Sequence, residues 1–141
     1  MDPLSLTASI VGLISFAIDV TKTVTEYISD VRHAPAESRE LASELSALTN
    51  ALDSLSTFLT RQDEESTSFK DTSVLYSTTR LCHGKLSAIN ETLREFLKKT
   101  EHMKWYRRLV WPFNKEDHLE VIGTLRGCMQ IFHFSLSIDG W

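Results

Sequence analysis

The feature that most restricts how this chain can fold is the spacing of apolar residues near its N-terminus. Leu6, Ile10, Leu13, Ala17, Val20, Val24, Tyr27 and Val31 follow one another at steps of four and three. A helix returns such positions to one side every two turns, so the alternation defines a single stripe along about seven turns. Asp2-Pro3 supplies the start: an acidic cap, then proline at the first helical position, where its missing N–H is harmless. The spacing predicts a helix over 3–31.

The same alternation returns after Pro35 in Leu41, Leu45, Leu48, Leu52, Leu55 and Leu59, which predicts a second helix over 36–60. The Arg32–Ala34 link is so short that the two helices must pack as an antiparallel hairpin. The polar run 61–71 (RQDEESTSFKD) breaks the pattern and reads as a surface loop. A third helix over 72–100 carries Leu75, Cys82, Leu86, Ile89, Leu93 and Phe96. A fourth, over 114–137, carries Leu119, Ile122, Leu125, Met129, Phe132 and Leu136. No segment alternates with period two for long enough to argue a strand, and five Gly and three Pro leave few turns to build. The expected fold class is all-α: one domain over residues 1–141, an antiparallel, up-down-up-down four-helix bundle with a long hydrophobic N-terminal helix.

That first helix is more apolar than one buried face requires. With Ile10 at heptad position a and Leu13 at d, Leu4, Val11 and Ile18 fall at b, Ile14 at e and Phe16 at g. Position b ordinarily faces water, and the second helix places mostly polar residues there. A helix apolar nearly all round is either central in its fold or meant for a membrane or partner. No helix of a four-helix bundle is central, so pattern alone leaves structural cover and an interaction role both open. Gly12, Ala8, Ser9 and Ser15 suit close helix–helix approach. The apolar character stops at Asp19, and Glu26 lies seven residues further on the same face. In an assembly of such helices both carboxylates are candidate pore-lining groups, although Asp19 also simply marks the end of the apolar stretch.

The rest of the chain narrows the classes. A formal net charge of −4 disfavours general nucleic-acid binding. Cys82 and Cys128 make no disulfide framework and fit a reduced, intracellular setting. The stretch Ala8–Ile18 mimics the core of a signal peptide. However, Asp2 stands where a cation belongs and no small-x-small cleavage site follows, so it reads as part of the mature fold. No run of 18 apolar residues is present, which argues against a constitutive transmembrane span. His33, His83, His102, His118, His133 and the cysteines form no i, i+4 ligand pair, so core cysteines, surface or capping histidines and no metal are expected. No Gly-x-Ser-x-Gly elbow, phosphate loop or arguable carboxylate pair appears, and a non-enzyme without cofactor is expected.

One segment departs from the acidic background. Residues 98–115 hold Lys98, Lys99, Lys104, Arg107, Arg108 and Lys115 against Glu101, a net of +5, which leaves −9 for the remainder. Trp105, Tyr106, Trp111 and Phe113 are interleaved with these cations. Cations beside Trp and Tyr suit anionic headgroups at a bilayer interface, and Lys98, Lys99, Lys104, Arg107 and Arg108 are the candidate contacts. Trp111-Pro112-Phe113 reads instead as a plug at the end of the bundle.

The opening MDPLSLTASIVGLISFAIDVTKTVTEYISDV, the stretch HAPAESRELASELSALTNALDSL and the end RRLVWPFNKEDHLEVIGTLRGCMQIFHFSLSID occur in the order of a known family. Together they resemble the fungal HeLo-like N-terminal domains of STAND-class (NACHT/ankyrin, NLR-like) receptors, similar to the HeLo domain of heterokaryon-incompatibility toxins and to the four-helix bundle of the necroptosis executioner. The resemblance implies a programmed cell-death execution domain of fungal innate immunity, excised from a longer receptor that supplies a downstream module. It also implies self-association on activation, membrane permeabilisation, and a protein that is cytoplasmic at rest and at the plasma membrane when activated. The membrane-inserting or partner-binding set is then Leu4, Ile10, Val11, Leu13, Ile14, Phe16 and Ile18, with anionic lipids as partners and no nucleic acid. Residues 3–18 span about 24 Å against a hydrocarbon core of about 30 Å, so insertion needs a thinned bilayer or the Thr-rich turn beyond. The alternative is a non-lytic adaptor bundle that recruits a protein partner through the same helix.

Overall fold

The computed structural model describes the backbone of residues 3–31, 34–65, 72–107 and 110–139, and within them the side chains of 6–31, 34–61, 74–103, 105–106 and 110–137. Helices α1 (Pro3–Asp30), α2 (Ala36–Glu65), α3 (Thr72–Lys99) and α5 (Lys115–Asp139) form an all-α four-helix bundle. The single turn α4 (Lys104–Arg107) lies in the connector. The helix ends are set locally. Ser38 Oγ donates to the Pro35 carbonyl at 2.7 Å and opens α2. Asn114 caps α5 by accepting the Asp117 N–H at 2.7 Å, and Glu116 and Asp117 meet the positive end of the helix dipole. Thr100 closes α3 through its N–H and its hydroxyl, both donating to the Phe96 carbonyl.

The apolar stripes meet as their spacing requires. Leu6, Ile10, Leu13, Ala17, Val20 and Val24 of α1 share one core with the leucine series of α2, with Leu75 to Leu93 of α3 and with Ile122 to Phe132 of α5. Each large aliphatic side chain so buried contributes roughly 1.5–3 kcal/mol relative to exposure. Helix α1 packs against α2 and α3, and α5 packs against the same two from the opposite corner. Among the described residues no Cα of α1 comes within 8 Å of one in α5, and none of α2 within 8 Å of one in α3, so these pairs are diagonal. The chain therefore runs up and down in order, yet passes from α2 to its diagonal neighbour before returning. Ion pairs hold this arrangement at its rim: Arg126–Glu44 at 2.8 Å and His118–Glu40 at 2.7 Å between α5 and α2, and Lys85–Glu120 between α3 and α5.

Two expectations change. Helix α2 continues to Glu65, so 61–65 are helical and not loop, while 66–71 lie outside the described residues. Arg, Gln and Glu are good helix formers, and a polar extension of this kind ends the stripe without ending the helix. Leu119, assigned to the core stripe of the last helix, is 59% exposed, and His118 is buried in its place. The step from Ile122 to Leu125 is three, so the preceding step must be four, which falls on His118. Glu40 supplies the buried imidazole with a charged partner.

Candidate functional site

Helix α1 sorts the proposed set into three groups. Ile10 and Leu13 are buried in the core and face other helices of this chain, so they reach a membrane or partner only if α1 leaves the bundle. Ile14 and Phe16 are half-buried against the core, with the Phe16 ring 5.1 Å from the His83 imidazole of α3. Val11 and Ile18 stand in solvent at 51% and 40% exposure, seven residues apart on one face. The Leu4 side chain lies outside the described residues.

Shallow clefts flank the helix on both sides. Ile18, Thr21, Lys22 and Thr25 line a cleft of 350 Å³ against Ser46, Thr49 and Asn50 of α2. Ser9, Gly12 and Leu13 line one of 430 Å³ against Thr79, Arg80, His83 and Gly84 of α3. A methyl group built on Gly12 or Gly84 meets nothing within 4 Å. Close approach by a helix of this chain therefore does not explain the small residues; Ala8, Ser9 and Ser15 are likewise exposed. Asp19 and Glu26 are exposed on the α3 side, where they share a cleft of 510 Å³ with Lys22, Arg94 and Lys98. The cleft thus brings carboxylates of α1 and cations of α1 and α3 to one solvated face.

At the far end of the bundle the connector has two sides. Inward, Trp111 lies 4.9 Å from the Tyr27 ring and 5.2 Å from Phe113, and the Tyr27 hydroxyl donates to the Val110 carbonyl at 3.0 Å. The Trp-Pro-Phe turn thus closes the core over the last turns of α1, as a plug. Outward, Trp105 is 62% exposed and Met103 and Tyr106 are exposed beside it, with Lys98 and Lys99 in solvent at the end of α3. The side chains of Lys104, Arg107 and Arg108 lie outside the described residues. Trp111 and Phe113 pack on the core as the plug read from Trp111-Pro112-Phe113, while no helical spacing marked Trp105 as facing outward.

The sequence reading also missed exposed apolar groups away from α1. Leu81 on α3 and Phe134 on α5 are 57% and 64% exposed, and only an exact helical phase would have turned them outward. Cys82 and Cys128, read as scattered core residues, are both buried in the common core, on α3 and α5. Among the described residues no three His, Cys, Asp or Glu side chains converge as metal ligands.

Fold and surface together define the class: a helical bundle with an apolar N-terminal helix lying along one corner. The family model described as "Pigment biosynthesis cluster protein PigL N-terminal" matches residues 1–129. The chain belongs to this fungal N-terminal domain family. No curated protein and no solved structure matches it.

Proposed function

We propose that this bundle is a cell-death execution or signalling domain of the HeLo-like type, which self-associates and then targets or permeabilises the plasma membrane through α1. The observation that carries the reading is the pairing of composition with exposure. Residues Leu6–Asp30 are long and apolar enough to cross a bilayer, and Val11 and Ile18 of that helix already face solvent. The Thr-rich turn supports it. Thr21, Thr23 and Thr25 each donate to the carbonyl four residues back, at 2.7, 3.1 and 2.8 Å. Hydroxyls satisfied within their own helix cost little to transfer into lipid, so the insertable length extends past Asp19. The exposed Trp105 and Tyr106 with Lys98 and Lys99 fit anionic headgroups at the other end of the bundle.

The second reading, a non-lytic adaptor, has its own support. Ile14 and Phe16 are spoken for by the bundle, and the solvent-facing remainder at Val11 and Ile18 is small enough for a single partner helix. The family's description, an N-terminal part of a pigment biosynthesis cluster protein, also suits recruitment.

Dye release from phosphatidylserine-containing vesicles, with the protein clustered on a multivalent tag, separates the two. The lytic reading expects release by wild type and at least about tenfold slower release by Val11→Glu and Ile18→Glu. Exposed sites should leave the unfolding free energy of both variants within about 0.5 kcal/mol of wild type, the small range of surface substitutions. Intact vesicles under clustered wild type sink the lytic reading and leave the adaptor.

A further inference from the structure

Asp19 and Glu26 share their cleft with groups that suggest a use other than lining a pore. The 510 Å³ opening between α1 and α3 is lined by Asp19, Lys22 and Glu26 of the first helix and by Arg94 and Lys98 of the third. The buried Thr23 and Leu97 complete its wall. Its size falls within the range of small-ligand sites, roughly 300–1,000 Å³. Opposite charges on neighbouring helices ordinarily meet as ion pairs. Among the described residues, N···O contacts within 4.0 Å join Lys85–Glu120, His118–Glu40 and Arg126–Glu44, and none of the five charged groups of this cleft takes part in one. The cleft holds its two signs of charge apart. We propose that it is a binding site for a glycerophosphoserine group, a phosphodiester bearing a free carboxylate and a free ammonium, as at the head of a serine phospholipid.

The two helices divide such a ligand between them. Arg94 and Lys98 are four residues apart on α3 and so present neighbouring cations on one face. Arg94 Nε donates to Asn90 Oδ1 at 3.2 Å, which steers the guanidinium and leaves its terminal nitrogens to donate to a phosphate or carboxylate. Asp19 and Glu26 are seven residues apart on α1, about 10 Å along its axis, with Lys22 between them. An ammonium that reaches toward α1 meets these carboxylates. Three cations against two carboxylates leave the cleft at a net of +1, and the headgroup carries one negative charge in excess. The two therefore match in sum as well as in pattern. A ligand of one sign does not match: a plain anion is repelled by Asp19 and Glu26, and a plain ammonium by the three cations.

The placement of the cleft fits a lipid source. Lys98 lies in the last turn of α3, directly before the connector, and α4 packs on α1. The cleft therefore runs toward the end of the bundle that bears the exposed Trp105 and Tyr106. A bundle set on a bilayer by those rings brings Lys98 to the headgroup layer, with the rest of the cleft behind it. The lipid form of the ligand rests on the membrane-targeting reading above, whereas the charge pattern of the cleft does not. Asp19 and Glu26 then act while α1 is still docked, before any pore could use them.

The experiment measures binding of the intact protein to phosphatidylcholine vesicles that contain either phosphatidylserine or phosphatidylglycerol at one anionic fraction. Free glycerophosphoserine is titrated separately. The two anionic lipids carry the same net charge, and only the serine lipid has an ammonium. Wild type should prefer the serine vesicles by about tenfold, the scale of one charged hydrogen bond. The double variant Asp19→Asn/Glu26→Gln, at exposed positions, should lose that preference by binding serine vesicles more weakly, while binding to the glycerol lipid holds or rises. Arg94→Gln should weaken binding to the serine vesicles. Saturable binding of free glycerophosphoserine without a preference between vesicles assigns the same site to a soluble ligand. Equal binding to both vesicles, tightened for both by the double variant, overturns the proposal: the cleft is then a cationic surface whose carboxylates only repel. Failure to bind either vesicle or the free compound overturns it as well. Dye release is read separately. A protein that prefers serine vesicles and leaves them intact keeps the site and sinks the lytic reading, while equal binding with release from both keeps that reading and sinks the site.

Discussion

Tyr27 joins three parts of the molecule through one side chain. Its ring is fully buried between Phe96 and Trp111, and its hydroxyl donates to the Val110 carbonyl. Burial pushes the phenol up to about 12 from 10.0, because the phenolate would lose its hydration there. The folded state therefore holds this proton more tightly than the unfolded chain. Stability from this source is fully present below pH 10 and is lost as pH rises from 10.0 through about 12. Tyr27→Phe should cost about 1 kcal/mol at neutral pH, for the Val110 carbonyl left without its donor, and should flatten the alkaline fall. Urea titrations at pH 7 and in steps above 9 check both. At this scale the sequence was only partly legible. Tyr27 belongs to the stripe that spacing picked out, whereas the exchange of Leu119 for His118 did not show. Hydrophobicity pointed to the leucine, and the charge on Glu40 that makes a buried imidazole tolerable comes from 78 residues away.

The elements differ in how much of their role local sequence dictates. The bounds of α1, α3 and α5 follow from stripes and caps, and they agree with the spacing to within about two residues, the usual uncertainty of a helix end. The connector follows only in part: the Trp-Pro-Phe turn marks Trp111 as a plug, whereas no spacing fixes the face of Trp105 in the same basic run. Trp111 is packed on the core, and its indole N–H is buried without an acceptor among the described residues, a cost of about 1–3 kcal/mol that its packing offsets. Trp105 is exposed. Trp111→Ala should lower the unfolding free energy by about 2–4 kcal/mol, somewhat less than for a fully enclosed tryptophan. Trp105→Ala should stay within about 0.5 kcal/mol. Should the connector meet anionic vesicles, Trp105 emission shifts to the blue in wild type and in Val11→Glu alike, since the two sites lie at opposite ends of the bundle.

At the scale of the whole molecule, a bundle could be read from the chain, but the order of helices around its axis could not. Helical stripes say that four faces are buried; they do not say which pairs are adjacent, and α2 and α3, consecutive in sequence, are diagonal. The helices also carry slack. Gly12, Gly84, Gly123 and Gly127 all sit within helices where an added methyl group meets nothing within 4 Å. Alanine at each should stabilise by about 0.5–1 kcal/mol, and the fourfold variant by about 2–4 kcal/mol, as chemical denaturation will show. Vesicle leakage by that variant should slow if α1 must detach.

The diagonal placement of α1 and α5 decides what a departing α1 would leave behind. The α2–α5 and α3–α5 seams do not depend on α1, so a three-helix wedge would remain, with an apolar trough about 42 Å long cut into one corner. The best complement to that trough is another α1. In a cluster of these molecules each vacated trough and the bilayer would compete for the same helices. Two molecules that donate α1 to each other fill both troughs and close as a swapped pair, whereas donation in one direction leaves a trough open and carries the exchange on along the cluster.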